Sequence, residues 1–330
     1  MTQGPTSGGS GGPVRRLLCV SLNSSVDKIV AVDHLAPGEI HRPTLLSVVP
    51  GGKALNVARA AAGLGMASFA VAVLAGHAGR WIEEALGACG VASHPVWIPG
   101  ETRECLSILD RSSGRLTELY EAGPALDAAS WAAVEEAIGA DLAIDPEGTL
   151  VAVSGSAPPG APANAHARIV ELSRAAGARS VVDVGGRPLA GAVEAGPWLA
   201  KANAMEAADA TGLPVGGEAE TLAAARALRD AGAVMALVSR GEAGALFVDR
   251  AGAAWRLGPP PERGMFPVGS GDSLLGGFAA ALADGHPPVE AVRRGCAAAA
   301  ANAMRPGQAV VDAADLIRIL PAITIERIDA

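Results

Sequence analysis

Short apolar runs rich in β-branched residues alternate with longer alanine-rich stretches from residue 56 onward. This alternation is typical of βαβ units, in which a crossover helix joins two parallel strands. It predicts an α/β fold built on a parallel sheet. The predicted core strands are 17–22, 68–74, 150–154, 180–184, 198–202 and 235–239, and the predicted helices are 56–64, 79–88, 163–176, 218–231, 272–283 and 289–304.

The size and charge of the chain limit the classes of protein it can belong to. Its 330 residues suit one large domain or one domain with a small appendage, because a single core stops growing near ~250–300 residues. Only 3% of the residues are aromatic, so the core must consist mainly of Ala, Val, Leu and Ile. A net charge of -8 without a Lys/Arg run argues against a nucleic-acid partner.

The cysteines and the N-terminus indicate the compartment. The four cysteines, Cys19, Cys89, Cys105 and Cys296, form no C-x-x-C pair, so neither a zinc site nor a disulfide framework is predicted. Residues 1–13 are rich in Gly, Ser and Thr and lack the apolar segment of a signal peptide, which predicts a disordered tail. No apolar stretch approaches the ~18 residues of a membrane span. We therefore expect a cytoplasmic protein that does not bind membranes.

Two segments interrupt the alternation, at about 28–49 and 96–121. Both contain strand-like pieces and turn residues without a helix between them. In the second segment, Arg111-Ser112-Ser113-Gly114 separates two such pieces and predicts a hairpin. We expect the two segments to form a small sheet that covers the carboxyl ends of the parallel strands, where open α/β folds bind ligands.

The strongest local motif is Gly269-Ser270-Gly271-Asp272-Ser273, which precedes an apolar helical run. Two glycines allow successive N–H groups to point into one concavity, and the following helix adds its positive N-terminal end. An Asp beside an anion held there can take a proton from an attacking hydroxyl. The alternative is that Asp272 only caps the helix, which is a common use of Asp.

A second glycine-rich turn, Pro50-Gly51-Gly52-Lys53, also leads into a helix. Lys53 and Asn56 are one helical turn apart, so both could face a small polar ligand. A tight turn with Asn as a helix cap is an equally good interpretation of this motif alone. The sequence contains no P-loop, no G-x-G-x-x-G after a strand, no H-E-x-x-H and no G-x-S-x-G, which excludes several common enzyme classes.

The two glycine-rich segments, in this order near opposite ends of the chain, resemble the two signatures of the PfkB (ribokinase-like) carbohydrate kinases. Within that family the chain is similar to the branch of tagatose-6-phosphate kinase and 1-phosphofructokinase. Further matching pieces are Leu22-Asn23-Ser24-Ser25-Val26-Asp27, Gly38-Glu39 with Arg42, Thr102-Arg103, Leu116-Thr117-Glu118, Ala122-Gly123-Pro124, Gly155-Ser156-Ala157-Pro158-Pro159-Gly160, Lys201-Ala202-Asn203 with Glu206, and Val238-Ser239-Arg240-Gly241 with Gly244.

The resemblance implies a fold and an activity. The fold would be a ribokinase-like αβα sandwich with a mostly parallel sheet, residues 14–330 forming the kinase domain and the two interrupting segments its β-sheet lid. The activity would be ATP-dependent phosphoryl transfer to a hydroxyl of a ketohexose phosphate, with no covalent enzyme intermediate. We keep two alternatives, a kinase for an unphosphorylated sugar or nucleoside and a catalytically silent binder of sugar phosphate or nucleotide. The branch also implies a homodimer that pairs through the lid.

The resemblance also assigns roles to single residues. Asp272 would be the general base, and Gly269, Ser270 and Gly271 would offer N–H groups to the transferred phosphoryl. The sugar hydroxyls would be held by Asp27, Gly51, Gly52 and Asn56.

Cationic and nucleotide-side residues complete the predicted site. Arg103 would bind the phosphate of the acceptor, with Lys53 and Arg42 as helpers. Asn203 and Glu206 form an N-x-x-E motif that implies Mg²⁺, with Glu206 acting on the metal through water. On the ATP side the assigned residues are Lys201 at the phosphates, Ser239, Gly241 and Gly244 beneath the nucleotide, and Asn302 near the adenine. A requirement for K⁺ is left open.

The chain departs from the family pattern at a few positions. Ala54 stands where the family usually has glycine, and we expect this change to narrow the sugar site. Ser24 and Ala202 replace prolines, Gly185-Gly186 replaces a Ser-Gly pair, and Ser270 replaces an alanine. None of these changes removes a side chain with an assigned role.

Overall fold

A computed structural model describes residues 12–259 and 264–328 of the chain. Most of the predicted N-terminal tail, residues 1–11, lies outside the described residues. The strands are β1 (Arg16–Ser21), β2 (Ser25–Val32), β3 (Thr44–Gly51), β4 (Ser68–Leu74), β5 (Val91–Trp97), β6 (Arg103–Asp110), β7 (Arg115–Tyr120), β8 (Thr149–Ser154), β9 (Arg179–Asp183), β10 (Leu199–Asn203), β11 (Met235–Ser239), β12 (Ala245–Val248), β13 (Ala254–Leu257) and β14 (Ile325–Ile328). The helices are α1 (Lys53–Gly63), α2 (Gly76–Ala88), α3 (Ala128–Leu142), α4 (Ala165–Ala176), α5 (Arg187–Glu194), α6 (Ala204–Thr211), α7 (Glu218–Asp230), α8 (Ser270–Ala283), α9 (Pro288–Ala303) and α10 (Ala313–Ile319).

The larger sheet has ten strands in the order β14-β13-β12-β11-β10-β9-β8-β1-β4-β5. The seven strands from β11 to β5 are parallel. The last three, β12 to β14, are antiparallel and extend one edge. The predicted mostly parallel sheet is therefore confirmed. All six predicted core strands are present in it, and each of their boundaries lies within one residue of the prediction.

Helices cover both faces of this sheet, as the predicted αβα sandwich requires. Along β1, Leu18 and Val20 point to one face and Leu17 and Cys19 to the other, because side chains alternate along a strand. Helices α3 to α7 pack on the first face, and helices α1, α2, α8 and α9 pack on the second. Because both faces are buried, the parallel strands are almost continuously apolar.

The smaller sheet has four strands in the order β3-β2-β6-β7. Strand β2 pairs parallel with β6, and the pairs β2–β3 and β6–β7 are antiparallel. The predicted hairpin at residues 111–114 is confirmed, since it joins β6 to β7. The predicted lid boundaries need correction, because Val91–Trp97 is an edge strand of the larger sheet and the second lid segment begins only at Arg103.

Among the residues that the structure describes, no helix is both long enough and apolar enough to cross a membrane.

Candidate active site

Several polar side chains lie at the carboxyl ends of the parallel strands. Ser21, Ser154, Asp183, Asn203 and Ser239 are the last residues of β1, β8, β9, β10 and β11. Parallel strands present their carboxyl ends at one edge of a sheet, so these residues share one rim. A cleft of about 590 Å³ opens there, and its lining includes Asn23, Lys53, Arg103, Ser156, His166 and Glu206.

Asp272 lies in the first turn of α8 and is only 5% exposed. The N-cap of α8 is Gly269, in a left-handed conformation with φ 79°, so the interpretation of Asp272 as a helix cap is wrong. Its Oδ2 accepts a hydrogen bond of 2.8 Å from Nδ2 of Asn56 on α1. Burial, followed by the nearby charge of Asp183, raises the pKa of Asp272 to about 7. A carboxylate with that pKa can take up a proton near neutral pH.

The backbone before Asp272 has the form of the predicted anion hole, with one difference. The N–H groups of Gly269, Gly271 and Asp272 have no backbone acceptor among the described residues, as expected at a helix start. The N–H of Ser270 donates instead to the carbonyl of Pro267 at 3.1 Å. The Ser270 hydroxyl in turn donates to the carbonyl of Ala299 at 3.1 Å. Ser270 therefore fixes the loop, and its neighbours supply the unpaired N–H groups.

Asp183, which the sequence had not singled out, organises two lysines at the centre of the site. It is completely buried, and its Oδ2 accepts a 2.8 Å hydrogen bond from Nζ of Lys201. Its Oδ1 lies 3.5 Å from Nζ of Lys53. Burial alone would raise the pKa of Asp183, but the two ammonium groups outweigh it and hold this pKa below the usual range. Asp183 in turn raises the pKa of Lys53.

The N-x-x-E motif forms a capping box at the start of α6. Oδ1 of Asn203 accepts from the N–H of Glu206 at 2.9 Å, and Oε2 of Glu206 accepts from the N–H of Asn203 at 2.8 Å. The other oxygen of Glu206 lies 3.4 Å from Nζ of Lys53. The motif thus starts a helix and also holds a carboxylate in the cleft. Within the described ranges, no group of three or more Cys, His, Asp or Glu side chains could hold a metal by itself.

Lys201 approaches the start of α8, and the charge of Lys53 also acts on Asp272 there. A Cβ added to Gly271 would lie 2.9 Å from Nζ of Lys201, so glycine at this position leaves room for the ammonium group. Lys53 also lines the cleft. The sequence had assigned Lys53 to the acceptor's phosphate, yet its contacts are with Asp183 and Glu206. It therefore lies between the acceptor side and the nucleotide side of the predicted site.

A second cavity, of about 500 Å³, brings together three residues that were predicted on the nucleotide side, namely Asn203, Ser239 and Gly241. Gly241 begins a short 3₁₀ helix that ends at Ala243. Gly244 follows with φ 82°, and a Cβ there would collide with the carbonyl of Leu257. Gly244 therefore allows the close packing that shapes this turn.

Asn302 is fully buried rather than exposed on its helix. Its Nδ2 donates to the carbonyl of Val268 at 2.9 Å and to the hydroxyl of Ser270 at 3.2 Å. Its Oδ1 accepts from the N–H of Val310 at 3.2 Å. The amide is thus used to hold the loop before α8. Its predicted contact with adenine stays a prediction.

The predicted sugar-hydroxyl residues meet where β2, β3 and α1 come together. Asp27 is 4% exposed and accepts a 2.6 Å hydrogen bond from the hydroxyl of Ser25. Burial raises the pKa of Asp27 despite this bond. A Cβ at Gly51 would collide with the Asp27 carboxyl, and Gly52 donates its N–H to Oδ2 of Asp27 at 3.4 Å. Gly51 is therefore needed for the backbone to approach this carboxylate, whereas glycine is favoured at position 52 by its φ of 98°.

Arg103 at the start of β6 is anchored at the mouth of the cleft. Its Nη2 donates to the carbonyl of Asn23 at 3.0 Å, and its Nη1 lies 3.4 Å from the carbonyl of Glu121. The side chain of Asn23 donates to Ser156 at 3.0 Å, while its buried Oδ1 has no donor within the described part of the chain. Asn23 is thus a second acceptor-side candidate to which sequence reasoning gave no role. Arg42, by contrast, is exposed in the loop before β3 and does not line the cleft.

Ala54, the departure from the family glycine, is 1% exposed and belongs to the core cluster on the α1 face. It is not among the residues that line the cleft. The expected narrowing of the sugar site by this methyl group therefore has no support in the structure.

Comparisons with known proteins agree with this architecture. Residues 16–313 match the model of the pfkB family carbohydrate kinases. The chain is 33% identical to the 1-phosphofructokinase of Xanthomonas campestris, over 84% of this chain and 87% of that protein. It is 30% identical to the ATP-dependent 6-phosphofructokinase isozyme 2 of Mycobacterium tuberculosis, over 92% of this chain and 88% of that protein.

Solved structures show the same fold. Phosphofructokinase-2 from Escherichia coli, in complex with substrates and products, superposes with a TM-score of 0.86 at 29% identity, covering 93% of this chain and 99% of that one. A possible 1-phosphofructokinase from Thermotoga maritima gives a TM-score of 0.87 at 23% identity, covering 95% of this chain and 100% of that one, which supports the fold alone. From the fold, the shared rim and these matches, we conclude that the chain belongs to the pfkB family of carbohydrate kinases.

Proposed function

We propose that this kinase transfers the γ-phosphoryl group of ATP to a hydroxyl of a fructose phosphate, with Asp272 as the general base. The observation that carries the proposal is the buried carboxylate of Asp272 at the start of α8, with a pKa raised to about 7 and one oxygen oriented by Asn56. Such a group can accept the hydroxyl proton as the new O–P bond forms.

The acceptor is proposed from the names of relatives and from one cation. Curated relatives from Xanthomonas campestris and Haloferax volcanii are named 1-phosphofructokinase, and one solved structure of Escherichia coli phosphofructokinase-2 contains fructose-6-phosphate. In this chain Arg103 lines the cleft and keeps N–H donors beyond those used on Asn23 and Glu121. A guanidinium in that place suits a substrate that already carries a phosphate.

Phosphoryl transfer would rely on positioning and on charge stabilisation by residues of this chain. Asp27 would hold acceptor hydroxyls, and Asn56 would contribute the remaining lone pair of its Oδ1, since its Nδ2 is bound by Asp272 and Gln308. The unpaired N–H groups of Gly269 and Gly271 would face the transferred group. Lys201, held by Asp183, would approach the phosphates of ATP in the second cavity beside Asn203, Ser239 and Gly241.

Two carboxylates suit a divalent metal on the nucleotide side. Among the described residues no group donates a hydrogen bond to the buried Oδ1 of Asp183, although Nζ of Lys53 lies 3.5 Å away, and Glu206 presents one oxygen to the cleft. Mg²⁺ is usually held by one or two carboxylates, waters and substrate phosphates, so these residues fit that cation. When bound, Mg²⁺ would neutralise charge on the ATP phosphates. A requirement for K⁺ is proposed only from the Escherichia coli phosphofructokinase-2 structure in complex with potassium.

Exchange of Asp272 for Asn tests the assignment of the base. We expect Asp272→Asn to lower kcat by roughly 10²–10⁴-fold, because the amide cannot accept the proton. Asp284→Asn, which changes an Asp at the other end of the same helix, should leave kcat unchanged. The measurement is coupled detection of ADP with fructose 1-phosphate, fructose 6-phosphate and tagatose 6-phosphate as acceptors. Near-native turnover by Asp272→Asn with the best acceptor would rule out the proposed mechanism.

The same acceptor panel separates the alternatives. Turnover of unphosphorylated sugars or nucleosides only would favour the runner-up kinase and remove the phosphate role of Arg103. Calorimetric binding of sugar phosphate without ADP formation across the panel would favour a silent binder. The presence of the buried Asp272, the unpaired N–H groups and the Asp183–Lys201 pair favours catalysis.

We also propose a cytoplasmic homodimer that pairs through the lid. The lid exposes Leu45, Val48, Leu119 and Tyr120, whose apolar surface a second copy could cover. The tetrameric inhibited form of Escherichia coli phosphofructokinase-2 shows that a relative forms oligomers, without fixing the state of this chain. Light scattering at micromolar concentration decides this point, and a monomer would contradict the proposal.

A further inference from the structure

Behind the base pocket lies a buried arginine that the sequence motifs had not singled out. Arg59 follows Asn56 by one turn of α1 and is 7% exposed. Its Nη2 donates to Oδ1 of Asn56 at 2.8 Å and to the carbonyl of Gln308 at 2.6 Å. Asn56 in turn donates through Nδ2 to Oδ2 of Asp272 at 2.8 Å. A continuous chain of hydrogen bonds therefore connects Arg59 to the proposed base.

The chemistry of the guanidinium determines the orientation of the Asn56 amide. Arginine carries N–H donors and no acceptor, so the amide atom that faces Arg59 must be the oxygen. The NH₂ group must then face Asp272, where it donates to the carboxylate. The reverse orientation would bring the amide oxygen against the Asp272 carboxylate and the NH₂ group against the guanidinium. Both of those contacts would be repulsive.

We propose that Arg59 is a positioning residue for phosphoryl transfer, which fixes the amide of Asn56 so that it always donates to Asp272. The inference rests on the proposed function, since it concerns the base assigned there. With one carboxylate oxygen bound by Asn56, the other is directed to the acceptor hydroxyl. The ionised, proton-accepting form of the base is thereby favoured.

Other charges act on the two ends of this chain of hydrogen bonds. Lys53 from α1 and Lys201 from β10 favour the ionised form of Asp272, whereas Asp183 from β9 opposes it. The only side-chain hydrogen bond given to the Asp272 carboxylate, within the described residues, comes from Asn56. The charged or ionisable groups that act on Arg59 are Asp27 of β2, Asp272 and Cys89 at the end of α2. Once the Asn56 donor is lost, burial and Asp183 would dominate the pKa of Asp272.

Arg59 also holds the loop that supports the anion hole. The Gln308 carbonyl that it binds belongs to a loop that packs against Gly269, where an added Cβ would lie 2.8 Å from the N of Ala309. Ala309 itself adopts φ 54°, in the left-handed region that non-glycine residues rarely occupy. Tertiary contacts must maintain that conformation, and the Arg59 bond to Gln308 is one of them.

The pH dependence of kcat/KM distinguishes positioning from simple structural support. In Arg59→Met only Asp272 and Oε1 of Gln308, 3.3 Å from Nδ2, still hold the Asn56 amide in this orientation. Protonation of Asp272 then lets the amide reverse and accept from the carboxylic acid, so we expect the acidic limb of the profile to move to higher pH by about one pH unit. Activity should fall most below that limb and recover in part at alkaline pH. Arg16→Met is the matched control, because Arg16 is also buried and donates to a backbone carbonyl, that of Asp141 on α3. Arg16 begins β1 and therefore lies at the end of this strand away from the active site. Its acidic limb should stay at the wild-type pH.

Two more variants keep the test decisive if Arg59→Met does not fold. Arg59→Lys has a side chain that, like arginine, donates and does not accept hydrogen bonds. Its acidic limb should lie at least halfway back from the pH of Arg59→Met toward that of the wild type. Arg59→Gln adds an acceptor that permits the reversed Asn56 amide, so its limb should move upward as in Arg59→Met. An unchanged limb in the folded variants would overturn the inference, as would an equal loss of activity at every pH.

Carbon-13 NMR of labelled aspartate in the free enzyme provides a readout independent of turnover. The Asp272 signal is assigned by its loss in Asp272→Asn, and its titration should move upward in Arg59→Gln. If Asp272→Asn stays active, the proposed function fails. If Asp272→Asn is inactive but the Arg59 variants titrate like the wild type, only the present inference fails.

Discussion

Two buried carboxylates in the same site have pKa values that are shifted in opposite directions. Asp183 and Asp272 are both buried, yet the pKa of Asp183 lies below its usual range and that of Asp272 is raised to about 7. The difference lies in their partners. Asp183 contacts the ammonium groups of Lys201 and Lys53, whereas Asp272 receives a hydrogen bond from the neutral amide of Asn56. The partner therefore decides the protonation state, since burial acts on both groups in the same direction.

This contrast explains how one site can contain both a permanent anion and a base. Asp183 stays charged at neutral pH and keeps two lysines in place, as the proposed binding of an anionic nucleotide requires. Asp272 is close to half-protonated near neutral pH and can exchange a proton. Pairs of titratable groups whose surroundings move their pKa values apart are typical of acid–base catalysis.

The largest expected effect comes from removing the permanent anion. Asp183→Asn leaves the buried ammonium of Lys201 unpaired, so we expect kcat to fall at least ~10²-fold and the protein to lose roughly 3–5 kcal/mol of unfolding free energy. The surviving activity should show an acidic limb at lower pH, because the Asp183 charge raises the pKa of Asp272. Steady-state kinetics and urea denaturation measure the two effects.

The double variant Asp183→Asn/Lys201→Met provides the control for this prediction. It removes both members of the buried pair, so part of the lost unfolding free energy should return while kcat stays low. Stability of Asp183→Asn equal to that of the wild type would mean that the contrast between the two carboxylates does not depend on the Lys201 pair.

Much of this contrast could not be read from the sequence. The glycines before Asp272, the spacing of Lys53 and Asn56, and the βαβ alternation are local patterns, and local patterns predicted the main strands and the candidate base. Asp183 lies at the end of an ordinary apolar strand, and its meaning comes from Lys201, which belongs to the neighbouring strand β10. Such a contact depends on strand order, which sequence patterns do not specify.

The errors have two kinds of cause. The alanine-rich helix α3 was missed because alanine gives almost no contrast between a buried and an exposed face. Strands β12, β13 and β14 were missed because each is only four residues long. The use of Asn302 to hold the loop before α8 was not predicted, because its partners Phe266, Val268 and Val310 come from segments before and after its own helix. Weak or short local signals explain the missed elements, and tertiary packing explains the role of Asn302.

A second prediction concerns stability as a function of pH, where the two carboxylates should act in different windows. The folded-state pKa of Asp272 is raised from 3.8 to about 7. The stabilisation that protonated Asp272 gives the folded state is therefore fully present below pH ~4 and is lost as the pH rises through ~7. Relative to Asp272→Asn, the wild type should lose roughly 2–4 kcal/mol of unfolding free energy between pH 4 and pH 8. Denaturation of both proteins across this range measures the difference.

Asp183 provides the internal comparison for that measurement. Its pKa is lowered, so its contribution to stability is present above pH ~4 and is lost as the pH falls below that value. This loss occurs in both the wild type and Asp272→Asn and should cancel in their difference. A difference that does not vary with pH between 4 and 8 would show that Asp272 is not the group with the raised pKa.

The smallest expected effect comes from moving the lysine that influences both carboxylates. In Gly271→Ala the new Cβ would lie 2.9 Å from Nζ of Lys201, and the flexible ammonium must shift by a few tenths of an ångström. We expect kcat to fall roughly 3- to 10-fold because a cation of the site is displaced. The acidic limb should move slightly to higher pH, since the Lys201 charge lowers the pKa of Asp272.

Gly87→Ala is the matched control for this prediction, because an added Cβ on that residue of α2 would meet no atom of the described residues within 4 Å. It should leave kinetics unchanged and raise the unfolding free energy by about 0.5–1 kcal/mol through the higher helix propensity of alanine. If Gly271→Ala behaves in the same way, the close approach of Lys201 to the start of α8 has no role in turnover. Lys201 would then act on Asp183 alone, and the two carboxylates would be coupled only through their direct repulsion and the shared charge of Lys53.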